Sequence, residues 1–289
     1  MALDLIATFI TMAGDCQLAV AGGTEVSPHD LFDRVKAVAG GGFTGMGFGD
    51  RDLRYWLTKY DIRELRQLLD DSGIRHIEVE GVVDWLTTGE RRRAADRNID
   101  EILGWAAELG ALHIKAAFDF VGGADCPHDV LVNEWAKVAD RAAVFGQRLA
   151  LEPMPFTTIK TPQETVKLLQ DADAINTGVF IDIWHTVRAG VSIESLRELP
   201  GEWIAGIELG DGSVEPFNGN LIEDGLNHRA LPGQGEFDVT GFLQAIFSTG
   251  FSGPIGAEIF SIENRARSLE QAVADNYDAM AKSVQAALA

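Results

Sequence analysis

Residues 149–153 read LALEP, 179–185 read VFIDIWH, 204–212 read IAGIELGDG and 253–260 read GPIGAEIF. Each is a short apolar run that closes on an acid, in turn Glu152, Asp182, Glu208 and Glu258. Runs of this length, rich in branched aliphatic residues, read as strands buried on both faces. A carboxylate at the end of a buried strand is costly unless something pairs with it. Four that converge require a bound cation to offset their charge. These runs predict a parallel barrel with a divalent-metal site at one end.

Outward from these runs, the rest of the chain repeats the pattern. Strand-like segments fall at 3–12, 44–49, 75–80, 112–118, 149–153, 178–183, 203–209 and 254–259. Amphipathic, helix-like segments fall at 27–39, 61–72, 90–109, 129–147, 161–174, 192–199, 238–249 and 268–288. Strict alternation of strand and helix implies a parallel sheet with right-handed crossovers. Eight such units predict a single-domain (β/α)8 TIM barrel over 1–289, with an open doubly wound sheet as the alternative. No GxGxxG follows the first strand, which argues against a dinucleotide site. Ser27-Pro28 and Thr161-Pro162 each place a capping hydroxyl before a proline suited to a first helical turn. The one long irregular stretch, 210–237, has the length of a functional loop.

Composition narrows the partners. The chain has 289 residues, is 46% hydrophobic and carries a formal charge of −20. A surface of that sign repels phosphates, so nucleic acid is not expected as a partner. It gives no reason for attraction to an anionic membrane, and no apolar run reaches transmembrane length. The basic run RRRAADR at 91–97 is isolated and reads as a solvated helix face. Two cysteines, Cys16 and Cys126, form no metal or redox spacing, which fits a reducing, cytoplasmic location.

Side chains two apart on a strand share a face. Glu152 then shares its face with Ala150, Glu208 with Gly206, and Glu258 with Gly256. Small residues beneath three of the acids leave room near the barrel axis for an ion and a small ligand. An all-oxygen set favours Mn²⁺ or Mg²⁺, with Co²⁺ also compatible. Such an ion polarises a carbonyl, and glutamates flanking it can move protons. Further candidates line the same end. Glu80 closes strand three in IEVEG, and Lys115 lies among apolar neighbours in LHIKAAF, where a buried lysine needs an anion. His113 shares the face of Lys115 and reads as a core histidine.

Five pieces in order, LEPMP, DIWHTVRAG, IELGDG, HRALPGQGEFD and GPIGAEIF, make the sequence resemble the xylose isomerase-like barrels. This is the sugar phosphate isomerase/epimerase group, which shares its fold with enzymes of the endonuclease IV type. The resemblance covers nearly the whole chain and is strongest from 149 to 262. In ketose epimerases of the family, the positions matching Glu152 and Glu258 bind the metal and form the acid/base pair. The resemblance makes Asp182 a metal ligand, His185 a contact to substrate oxygen, and Arg229 a residue that binds substrate hydroxyls or balances the acidic site. Glu208 departs from the family pattern, since the epimerases carry a histidine there. The change makes the metal shell more negative and argues against zinc. Dimers are common in the family, so a homodimer is an expectation.

The resulting expectation is a metal-dependent isomerase or epimerase of a small sugar or keto-sugar, acting through an enediolate. The alternative is a dehydratase of an inosose or a dehydroshikimate-like substrate, for which Lys115, His185 or Glu80 would supply the general acid. An endonuclease of the DNA-repair type is disfavoured by six histidines, few at strand ends, and by the charge of −20. A sugar-binding module without catalysis is disfavoured by the intact set of acids.

Overall fold

The computed structural model describes residues 4–118 and 126–289. Eight parallel strands close into a barrel in sequence order. They are β1 Leu5–Ala7, β2 Gly45–Gly49, β3 His76–Val82, β4 His113–Ala117, β5 Leu149–Glu152, β6 Thr177–Asp182, β7 Ile204–Leu209 and β8 Ile255–Ala257. The helices, in chain order, are α1 Leu31–Gly40, α2 Asp50–Trp56, α3 Ile62–Asp71, α4 Gly89–Leu109, α5 His128–Val144, α6 Pro162–Asp171, α7 Ile183–Arg188, α8 Leu221–Asn227, α9 Val239–Ser248, α10 Ile262–Arg265 and α11 Leu269–Leu288. The expected (β/α)8 barrel is the observed fold. Among the described residues no helix is long and apolar enough to cross a membrane.

The strands sort their side chains into two environments. Phe48, Val79, Ile114, Leu151, Ile181 and Ile207 face the helices and belong to one continuous apolar core. The alternate positions face the lumen, and there the composition changes. A methyl group added at Gly206 would lie 3.0 Å from the His113 ring and 2.5 Å from the Phe180 ring. One added at Gly256 would lie 3.0 Å from Cγ of Glu208. The small residues beneath the acids thus make room for their neighbours' longer side chains across the lumen.

Several local expectations are revised. The first strand is Leu5–Ala7 rather than the whole of 3–12, whose first position lies outside the described residues. The hydroxyls of Thr8 and Thr11 both donate to the carbonyl of Ala257, at 2.7 and 2.8 Å, and draw the chain off the ladder into a short 3₁₀ turn at Ile10–Met12. Helix α1 starts at Leu31, because Asp30 rather than Ser27 caps it by accepting from the amides of Phe32 and Asp33. The Ser27 hydroxyl donates to Ala13 instead. Thr161 does cap α6, in a reciprocal box with Glu164 and with Pro162 in the first turn. The helix expected at 192–199 is a 3₁₀ segment, Ile193–Glu198. The 210–237 stretch contains α8, capped by Asn220.

Candidate metal centre

The strand-end acids meet at the carboxyl end of the barrel, where active sites of this fold lie. Register brings them together. Asp182 pairs with Glu208 across β6 and β7, and Glu208 with Gly256 across β7 and β8. Asp182 is fixed twice. Its Oδ1 accepts from the amide of Trp184 at 2.6 Å, starting α7, and its Oδ2 accepts from Arg229 at 2.7 Å. Because α7 begins immediately after Asp182, its first turn carries His185 inward over the same space.

Four residues can each offer one donor atom such that all four atoms lie within 4.8 Å of one another. They are Glu152, Asp182, His185 and Glu258, and all are buried. Nε2 of His185 stands 3.7 Å from Oε1 of Glu152 and 3.9 Å from Oδ2 of Asp182. Oxygen and nitrogen donors hold first-row divalent ions at about 2.0–2.2 Å, so this spacing suits one ion held between the donors. Oε1 of Glu152 is buried with no hydrogen-bond partner, as a ligand atom would be in the absence of its ion. Burial, aided by the charge of Arg229, holds the His185 pKa well below its ordinary value, so the imidazole is neutral and able to ligate. Three carboxylates and one imidazole therefore fit a divalent cation such as Mn²⁺, Mg²⁺, Co²⁺ or Zn²⁺.

Glu208 stands apart from this set. It is fully buried, and both of its oxygens accept from the ammonium of Lys115, at 2.8 and 3.0 Å. The same ammonium lies 3.3 Å from Glu258, 3.8 Å from Glu80 and 3.9 Å from Glu152. Burial would strip its proton, but Glu152, Glu208, Glu258 and Glu80 outweigh that and hold the Lys115 pKa well above the usual lysine value. Arg229, also buried, spans Asp182 at 2.7 Å and Glu258 at 3.1 Å. Its Nε donates to the carbonyl of Gly225. Arg229 and Lys115 are thus engaged with the acids.

Burial pushes the Glu152 pKa up to about 8, with Lys115 opposing the rise and Glu258 adding to it. Burial likewise pushes Glu80 up to about 7, again against Lys115. The Glu80 side chain keeps 23% of its exposure, so solvent moderates that shift. Below the acids, a buried pair of His113 and Glu78, 3.1 Å apart, forms another polar layer. His113 is a core histidine, as expected. Phe156, in the β5–α6 connection, sets its ring edge-on to His185 at 5.9 Å.

Two residues near the site escaped the sequence reading. Asp50 follows β2 directly in GMGFGD and obeys the same strand-end rule as the four acids. Burial pushes its pKa up to about 6. Asp224 accepts from the Trp184 indole, from Arg188 and from the amide of Phe217. It ties the β7–α9 connection to α7, and no spacing in the sequence signals this.

A family model described as the xylose isomerase-like TIM barrel matches residues 35–282. The chain belongs to this family. A 3-dehydroshikimate dehydratase of Pseudomonas putida is 28% identical over 249 residues, which cover 85% of the chain and 38% of that protein. An inosose isomerase of Bacillus subtilis is 28% identical over 144 residues, 49% of the chain and 50% of that protein. The matched segments therefore span half or less of the length of these relatives. Among solved structures, the IOLI protein with a bound zinc atom superposes with a TM-score of 0.82 at 19% identity. That match covers 98% of each chain and shows the shared fold of xylose isomerase-like barrels.

Proposed function

We propose that this xylose isomerase-like barrel is a divalent-metal-dependent enzyme that removes a proton α to the carbonyl of a small hydroxylated keto compound. The observation that carries this reading is the convergence of Glu152, Asp182, His185 and Glu258 within 4.8 Å at the carboxyl end of the barrel. These four residues would hold the ion. When bound, it supplies Lewis acidity toward a carbonyl and a neighbouring hydroxyl. Glu152 ends β5 and Glu258 directly follows β8, and both carboxylates border the space the ion would occupy, so a substrate held by that ion would have either within reach as a base. One takes the proton from carbon, and the bonding pair moves onto the carbonyl oxygen to give an enediolate or enolate. Lys115 and Arg229 keep the remaining carboxylates compensated while this charge develops.

Two outcomes share that first step. In a dehydration, the electron pair returns to form a carbon–carbon double bond, the β-hydroxyl leaves, and a donated proton carries it away as water. Glu80, with its pKa raised to about 7, suits that donation. In an isomerisation or epimerisation, the second glutamate returns the proton to carbon. The dehydratase outcome is favoured by the relative that aligns with 85% of the chain, and a keto ring of the dehydroshikimate type is the substrate class to try first. The isomerase outcome draws on the inosose isomerase that matches about half of it. The test is incubation with Mn²⁺, Mg²⁺ or Co²⁺ and 3-dehydroshikimate, inososes or ketoses in D₂O. A conjugated ultraviolet chromophore marks dehydration, and deuterium at carbon without a chromophore marks isomerisation. Absence of both across the panel would sink the enolisation reading.

A further inference from the structure

Among the described residues two buried cations stand among the site acids, and they share Glu258 but differ in their other partners. Arg229 lies on the Asp182 side, while Lys115 reaches across from β4 to β7. The Lys115 ammonium contacts both oxygens of Glu208, yet it also lies 3.3 Å from Glu258 and 3.9 Å from Glu152, two of the four cluster members. Side chains of Lys115 and Glu208 are 4% and 0% exposed. The Phe180 ring underlies the ammonium at 4.7 Å. Like charges this close, in an interior that water and salt barely screen, repel strongly.

We propose that Lys115 is a built-in competitor for the divalent cation, and that Glu208 is the holder of this lysine rather than a metal ligand. The inference rests on the metal reading of the Glu152–Asp182–His185–Glu258 cluster. Without an ion, the ammonium joins Arg229 in offsetting Glu258 and lies close enough to Glu152 to oppose the cost of burying its charge. With an ion, Glu208 gives the ammonium a partner outside the cluster. The position on β7 that the sequence marks as a fourth carboxylate ligand is thereby withheld. The chain gains a metal-free state that stays folded and a site that releases its ion more easily.

The test strips the full chain with EDTA and titrates Mn²⁺ by calorimetry, beside the melting temperature of each metal-free protein. The variants are Lys115→Met and the double variant Lys115→Met/Glu208→Gln. Both are expected to bind one Mn²⁺ at least ten-fold more tightly than the unaltered chain. Metal-free Lys115→Met is expected to melt lower than the unaltered chain and to be restored by Mn²⁺. Should Lys115→Met fail to fold, the double variant, which removes both charges of the pair, carries the same comparison. Unchanged or weaker affinity without Lys115 overturns the competition. Tight binding in Lys115→Met that is lost in the double variant makes Glu208 a ligand and overturns its assignment as holder. No Mn²⁺ binding by any of the three proteins overturns the metal reading itself, and this inference with it.

Discussion

Glu152 and Glu258 each lie within 4 Å of a fixed cation, at 3.9 Å from Lys115 and 3.1 Å from Arg229. Replacing either by glutamine keeps its shape and removes the base and a ligand together. Glu152→Gln and Glu258→Gln are each expected to cut kcat by about 10²–10⁴-fold and to lower bound metal, read by steady-state kinetics and elemental analysis. Glu80 makes a pH-dependent prediction. With its pKa near 7 it carries a proton below that value and loses it above. If it donates to the leaving hydroxyl, kcat falls as pH rises through about 7, and Glu80→Gln abolishes that limb of the profile. At this scale the sequence was informative about types and poor about partners. Glu152, Asp182 and Glu258 follow from the strand-end rule, whereas His185 came only through the family resemblance. Glu208 obeys the same rule, but its partner is Lys115, 93 residues earlier and across the lumen. No local spacing encodes a contact between β4 and β7.

The elements explain why the lumen can hold so many charges. Inward positions on β7 and β8 are glycine just beneath the acids, and the adjoining rings and stems fill the space. Gly206→Ala would drive a methyl into Phe180 and His113. It is expected to cost about 1–3 kcal/mol in denaturant unfolding, the usual penalty of overpacking a filled core. All eight strands were readable, because a strand buried on both faces is a continuous apolar run bounded by polar loops. Elements set by tertiary contacts were not. The first strand stops at Ala7 because two threonine hydroxyls find the carbonyl of Ala257, 246 and more residues away. Helix α7 covers only six residues and owes its start to Asp182, which a strand-based reading takes as an end.

For the whole molecule, the charge of −20 sets the field that any substrate meets. An anionic substrate is repelled over the Debye length, about 10 Å at 0.1 M salt, and a neutral one is not. At saturating Mn²⁺, kcat/KM for a carboxylate-bearing keto ring is expected to rise several-fold from low to physiological salt. For a neutral inosose it is expected to stay nearly constant. A flat response for both substrates would show that the global field does not govern access to the site. Alternation pointed to the barrel and left an open doubly wound sheet as the alternative, which closure of the eight strands excludes. What remained hidden was the division of the acids between an ion site and an internal lysine, since that depends on distances across a lumen formed only after closure.

Trp184 lies in sequence between Asp182 and His185. Its amide donates to Asp182, its indole donates to Asp224, and its ring lies 5.1 Å from the His185 ring and 4.8 Å from the Arg229 guanidinium. A fluorophore so placed feels any change in charge at the cluster. Its emission, isolated by subtracting the spectrum of Trp184→Phe, makes the protein its own unlabelled indicator of ion occupancy. Stopped-flow traces of that signal would time the arrival and departure of the metal in a single mixing experiment.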